Sequence, residues 1–143
     1  MTAPAASIVV LSWNGLEHLD VCLSSLCAQT FKDREIILAD NGSTDGTKEW
    51  VEARFPEVRV ARVEKNRGVP GGVNFGISQA RGKFIALLNN DIEADPEWLS
   101  ESIRALDEHP EAGFTATRIR LFHQRDLLDT TGDFYFRDRK STV

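Results

Sequence analysis

Two carboxylates and several side-chain amides stand where apolar runs of this 143-residue chain come to an end. The sharpest case is Leu87-Leu-Asn-Asn-Asp91, where an apolar run hands over directly to two amides and a carboxylate. Asp91 could give one oxygen to Mg²⁺ or Mn²⁺, with waters and two phosphate oxygens completing an octahedron. Asn89 and Asp91 could equally do no more than end a strand in a turn. Asp40 closes Glu35-Ile-Ile-Leu-Ala39 in the same manner. A carboxylate accepts but cannot donate, which suits the N3–H of uracil or thymine, or a ribose hydroxyl. Before Asn41-Gly42 it suits a turn as well. A third segment, Asn66-Arg-Gly-Val-Pro-Gly-Gly-Val-Asn74, is glycine-rich ahead of a helical stretch, so backbone N–H groups there could approach an anion.

Competing chemistries fit less well. The glycine-rich segment does not match G-x-G-x-x-G and follows the third strand, and neither a P-loop spacing nor a G-x-S-x-G elbow is present. Asn41 to Glu52 partly matches a calcium loop, but Lys48 takes an apolar position and a strand precedes it. His18, His109 and His123 show no metal spacing. Cys22 and Cys27 lie five apart in a helical stretch, where they point to different sides, so they are expected as reduced thiols.

The elements that must position these groups alternate. Ser7 to Leu11 is a continuous β-branched run, the pattern of a strand buried on both faces of a parallel sheet. Asn14 with Glu17 predicts a capping box, and Leu16, Leu19, Leu23 and Leu26 form the stripe of the helix after it. Glu35 to Ala39 is the second strand. Ser43 or Thr44 is expected to cap a helix that buries Trp50, Val51 and Phe55. Val58 to Val63 is the third strand, and the next helix carries Val73, Ile77 and Ala80 on one face. Phe84 to Leu88 is the fourth strand; Asp95-Pro96 then starts a helix with Leu99, Ile103 and Leu106 inward. Residues Ala112 to Thr117 could add a strand, with short strands expected at Ile119 to Phe122 and Phe134 to Phe136. This order predicts an α/β fold with a mainly parallel sheet, flanking helices and right-handed crossovers. Ligands of such sheets sit beyond the strands' carboxyl ends, where Asn14, Asp40, Asn66 and Asp91 all fall. We expect a single domain over residues 1–143, with its core at about 7–117 and connecting strands at 118–143.

A net charge of −5 argues against nonspecific nucleic-acid binding, which needs clustered Lys and Arg. An acidic protein that holds phosphates gains from a divalent cation shared between carboxylate and phosphate. The apolar runs fall far short of the ~20 residues of a membrane span, and Met1 to Ser7 lacks a leader pattern.

Taken together, Ser7-Ile-Val-Val-Leu-Ser-Trp-Asn14, Leu38-Ala-Asp-Asn-Gly-Ser-Thr-Asp-Gly-Thr47, Asn66-Arg-Gly with Gly71-Gly72-Val-Asn74, and Leu87-Leu-Asn-Asn-Asp-Ile92 with Pro96 and Leu99 resemble family 2 glycosyltransferases. Within that family they look like the rhamnosyltransferase-like group, over about Ser7 to Phe136. The resemblance implies the GT-A fold, a Rossmann-like nucleotide-diphospho-sugar transferase. It places Trp13 and Asn14 beside the nucleoside, Asp40 on the base, Asn66, Asn74 and Asn90 in the donor pocket, and Asp91 on the metal. Asn89 departs from the family's Asp-x-Asp, which loses one negative charge. The implied donor is a UDP- or dTDP-sugar, with dTDP-rhamnose the first expectation. The implied acceptor is a glycan or lipid-linked saccharide of the cell envelope, in the cytoplasm or at the cytoplasmic face of the membrane. The reaction would invert the sugar's configuration.

The family's general base lies well downstream of the metal motif, so it is expected beyond Val143, and the chain to stop before the acceptor half. Asp126, Asp129, Asp133 and Asp138 look like parts of connecting strands rather than that base. Apolar residues near Phe122, Phe134, Tyr135 and Phe136 would then be exposed, or would pair with a second copy in a homodimer. The alternatives are a noncatalytic nucleotide-sugar-binding module or partner subunit, and a nucleotidyltransferase. The latter needs a basic, glycine-rich loop where Ser12-Trp-Asn-Gly15 stands.

Overall fold

A computed structural model describes residues 3–130, 134–135 and 141–142. The chain comprises two compact units, Met1–Trp98 and Leu99–Val143.

The first unit follows the predicted alternation: β1 (Ala6–Ser12), α1 (Leu16–Cys27), β2 (Arg34–Asp40), α2 (Thr47–Arg54), β3 (Val58–Arg62), α3 (Gly68–Gln79) and β4 (Phe84–Asn89). All four strands are parallel, in the order β3-β2-β1-β4. The chain steps outward from β1 to β3 and then returns past β1 to lay down β4. Because parallel crossovers are right-handed, this reversal sends α3 to the face opposite α1 and α2. Ile8, Val10, Ile36, Ile37 and Leu38 are almost wholly buried, as the β-branched runs predicted for strands covered on both sides. In α1 the buried stripe is Leu19, Cys22, Leu23 and Leu26.

Of Val73, Ile77 and Ala80, expected on one face of α3, Val73 and Ile77 are half-buried and Ala80 packs against the sheet. The fully buried positions of the helix are Gly72 and Gly76. A Cβ on Gly72 would lie 2.5 Å from Leu11 Cδ1, and one on Gly76 2.4 Å from Val9 Cγ1. The helix backbone therefore sits down on the strands, with Phe75 and Ala80 packed at its sides against Val9, Ile37, Ala39 and Ala61.

β4 differs from the buried strand expected. It pairs with β1 at the margin of the four-stranded sheet, and its alternate residues Ile85 and Leu87 are 44% and 48% exposed.

The amino ends of the strands are tied by Glu35. Its Oε1 accepts from Ser7 Oγ at 2.7 Å and the Arg81 backbone at 2.9 Å, and its Oε2 from Arg81 Nη2 at 2.7 Å and Arg59 Nη2 at 3.3 Å. Burial alone would raise this carboxyl's pKa, but the donors from Arg81, Ser7 and Arg59 outweigh it and hold the value at about 2. A folded pKa below the unfolded ~4.3 means that the network's contribution is complete above that pH. It is lost as pH falls toward about 2. Glu35→Gln is therefore expected to flatten the fall in melting temperature on acidification from about pH 5 to about pH 2.5, read by thermal melts. An unchanged acid limb would show that the network does not govern acid stability.

Cys22 is buried, Cys27 is partly buried, and neither is in a disulfide. Burial, foremost, pushes both thiols up to about 12, which keeps them unreactive.

Asp95 Oδ1 accepts from Glu97 N at 3.0 Å at the end of the first unit, and α4 (Trp98–Glu108), nearly all of it in the second, buries Leu99 and Ile103 as predicted while Leu106 is half-buried. The strand expected within 112–117 is absent; that stretch is irregular. β5 (Ile119–Arg120) pairs antiparallel with β6 (Leu128–Thr130), and β7 (Phe134–Tyr135) with β8 (Ser141–Thr142). These strands of two or three residues form two separate two-stranded sheets. Phe114 and Phe122 are exposed. Asp133, Phe136 and Asp138 lie outside the described residues.

Candidate functional site

Strand order locates the site. In a doubly wound sheet the crevice opens at the carboxyl edge where the direction of winding reverses, which here is between β1 and β4. Asn90, immediately after β4, bridges that gap. Its Nδ2 donates to Ser12 Oγ at 3.2 Å and to the Gly15 carbonyl at 3.3 Å. A Cβ on Gly15 would fall 1.9 Å from Asn90 Nδ2, so the bridge requires a glycine there. Asp91 follows this anchored amide and is exposed at the edge.

The loop after β1 is held from the β2 side. Asn14 has φ 49°, an uncommon conformation for a residue with a side chain. Its amide donates to Ser43 Oγ at 3.0 Å, and its Oδ1 accepts from Thr44 N at 2.7 Å. The predicted capping box does not form: Gly15 is the N-cap of α1, and Leu16 N donates instead to Asp45 Oδ2 at 3.1 Å. Nor does Ser43 or Thr44 cap α2. Asp45 Oδ1 accepts from Thr47 N at 3.1 Å and from Thr47 Oγ1 at 2.6 Å. At α1 a partner from the other loop satisfies the N–H that the local rule had assigned to a neighbour, whereas at α2 the neighbour is Asp45 in place of Ser43 or Thr44. Partial burial would raise the Asp45 pKa, but the donors from Thr47 and Leu16 lower it on balance. Trp13, between buried Ser12 and Asn14, is 55% exposed.

Asp40 takes part in the turn that its position before Asn41-Gly42 also suited. Its side chain has no exposed surface; Oδ1 accepts from Ser43 N at 2.8 Å and Oδ2 pairs with Arg62 Nη1 at 2.8 Å. Arg62 Nη2 in turn donates to the Ser43 carbonyl at 2.7 Å. The carboxylate thus builds the turn from beneath rather than facing outward.

Buried Asn41 joins the third loop to the others. Its Nδ2 donates to Asn66 Oδ1 at 3.0 Å and to the Gly68 carbonyl at 3.1 Å, while its Oδ1 accepts from Arg67 N at 3.0 Å. Asn66 is thereby brought to the same edge. Asn74 is not: it is exposed on α3, ~200° around the helix from both sheet-facing glycines. The residues that knit the edge but were given no part in the site from sequence are Asn41, Ser43, Asp45 and Arg62. For Asn41, Ser43 and Asp45 the signal was turn chemistry, and Arg62 at the end of β3 carried none, because their partners lie about 20–30 residues away.

Among the described residues no three His, Cys, Asp or Glu side chains are grouped to hold a metal. A cation here would have Asp91 as its one carboxylate, with the neutral oxygen of exposed Asn89 nearby in sequence. That donor set fits Mg²⁺ or Mn²⁺ shared with a ligand's phosphates, and does not fit an all-protein cage.

Residues 7–140 match the family model "Glycosyl transferase family 2". The chain belongs to glycosyl transferase family 2. Its relatives include the uncharacterized glycosyltransferase YfnE of Bacillus subtilis, 30% identical across 96% of this chain and 39% of YfnE. Staphylococcus aureus TarS is 30% identical with a TM-score of 0.67, over 73% of this chain and 33% of the TarS chain. The complex of TarS with UDP-GlcNAc aligns with a TM-score of 0.67 at 24% identity, over 84% of this chain and 41% of that one. The mannosyltransferase PcManGT of Pyrobaculum calidifontis, solved with GDP-Man and Mn²⁺, shares the fold at 19% identity and a TM-score of 0.65, over 74% of this chain and 33% of its own. The chain spans 30–39% of the length of the curated relatives it matches. The parallel sheet with flanking helices is that of GT-A glycosyltransferases, as the family 2 residues predicted. No helix among the described residues of this family 2 domain is long and apolar enough to cross a membrane.

Proposed function

We propose that this family 2 domain binds the donor of an inverting glycosyltransferase, a UDP- or dTDP-sugar, through Mg²⁺ or Mn²⁺ held by Asp91. The observation that carries this reading is the Asn90 bridge to Ser12 and Gly15, which pins Asp91 at the β1/β4 reversal beside the exposed Trp13–Asn14 loop. Support comes from TarS, solved with UDP-GlcNAc, and PcManGT, solved with GDP-Man and Mn²⁺. When bound, the cation would offset charge gathering on the departing nucleoside diphosphate. Trp13 and Asn14 would bound the nucleoside, and Asn66 would line the pocket from the third loop. The general base is assigned to none of the described residues. Transfer to a glycan or lipid-linked acceptor of the cell envelope, and rhamnose as the sugar, belong to the same proposal through family resemblance. So does a place in the cytoplasm or at its membrane face.

A thermal-shift panel of UDP, dTDP, CDP and GDP with and without Mn²⁺ tests it, since a ligand that binds only the folded state raises the melting temperature. UDP or dTDP is expected to stabilise the protein only with Mn²⁺. No shift with any nucleotide, or equal shifts without metal, would sink the proposal.

Asp40 supports the base end of this site through Ser43 and Arg62. Asp40→Asn is expected to cost about 1–2 kcal/mol of stability, the range for a disturbed buried hydrogen-bonding group. The preference for uracil or thymine over cytosine should survive. Loss of that preference with stability unchanged would instead put the carboxylate on the base.

A further inference from the structure

We infer that Asp45 is a positioning residue for donor binding: its single carboxylate clasps the Trp13–Asn14 loop to the β2–α2 turn and fixes the wall against which the nucleoside lies. The inference rests on the donor-site reading above. α1 and α2 both begin at a glycine and neither has a side-chain cap of its own. Asp45 supplies both, Oδ2 taking the Leu16 amide and Oδ1 the Thr47 amide and hydroxyl. One anion thus lies against the positive ends of two helices, and both ends lean on it.

The clasp is reciprocal. The β1–α1 loop sends the Asn14 carboxamide to Thr44 N and its own backbone amide to Ser43 Oγ; the β2–α2 turn answers with Asp45 to Leu16 N. Asn14 at φ 49° is in a conformation that such outside ties must hold. Trp13 sits between the tied Asn14 and buried Ser12, so the backbone on both sides of this exposed residue is held. Asp45 is itself exposed, so replacing it opens no hole in the core.

The test compares the wild type with Asp45→Ala and Asp45→Asn. Calorimetry measures UDP and dTDP affinity with and without Mn²⁺, and hydrogen exchange reads the Leu16 and Thr47 amides. The expected result is a loss of about five- to tenfold in nucleotide affinity for Asp45→Ala, the scale of a lost helix cap. Asp45→Asn should be intermediate, because one amide oxygen can serve one helix but not both. The ratio of affinities with and without Mn²⁺ should stay constant while the Leu16 amide exchanges faster. Wild-type affinity in Asp45→Ala despite faster exchange would overturn the positioning role. A loss confined to the Mn²⁺-dependent part would overturn it too, by moving Asp45 to the metal. If Asp45→Ala does not melt cooperatively, wild-type affinity in Asp45→Asn is the overturning result. A wild type that binds neither nucleotide would overturn the donor-site reading and this inference together, and is told apart because the variants then play no part.

Discussion

Asp91→Ala is expected to weaken UDP or dTDP binding by about 2–3 kcal/mol, or ~30–150-fold, with EDTA doing nearly the same to the wild type. The size follows from charge. The chain carries a net −5 and the nucleotide brings a diphosphate, so without a shared cation the two repel. With no group of three metal-ligating side chains among the described residues, the protein has little to hold a cation by itself. Metal and nucleotide should therefore bind together, each strengthening the other by the same factor. Calorimetric titration of UDP at several Mn²⁺ concentrations measures this coupling, and Asp91→Ala should abolish it. Asp91→Asn should fall between, since it keeps an oxygen and loses the charge. If UDP affinity does not depend on Mn²⁺, or Asp91→Ala retains the coupling, the metal role of Asp91 is lost.

The second large effect lies away from the ligand. Gly76→Val is expected to destabilise the protein by about 3 kcal/mol, near the upper end of the range for overpacking a core. For a chain of this size that lowers the melting temperature by about 10 °C. A Cβ there would meet Val9 Cγ1 at 2.4 Å and Ala39 Cβ at 3.0 Å, so α3 must lift from the sheet or the strands must spread. Because Gly72 of the same helix rests on Leu11 and Asn41, lifting α3 also pulls at the residue that holds Asn66 and the third loop. Nucleotide affinity should consequently fall along with stability. Gly46→Ala is the control: no atom lies within 4 Å of a Cβ there, so its cost is limited to the φ of 82°. A Gly76→Val protein as stable as the wild type would show that the helix does not sit on the sheet as described.

Some of this was determined by the order of residue types alone. Ser7 to Leu11, Glu35 to Ala39 and Phe84 to Leu88 are apolar runs too short for helices, and the stretches between them carry helical spacing; parallel strands with crossover helices are what such alternation makes. The same alternation placed Asn14, Asp40, Asn66 and Asp91 at one edge, since parallel strands all end on the same side. Turn residues at 40–47 marked a loop with a role.

Tertiary structure decided which side chains in that loop stay exposed and which hold the loop together. Asp40 is buried against Arg62, whereas Asp45 reaches across to α1. Asn14 gave up a cap three residues away for partners about 30 residues away. The buried positions of α3 turned out to be two glycines, whose lack of a side chain lets the helix backbone approach Leu11 and Val9. Local rules rank the bonds a residue can make with its sequence neighbours. Once strands set side by side bring other donors within 3 Å, those rules no longer choose among the partners.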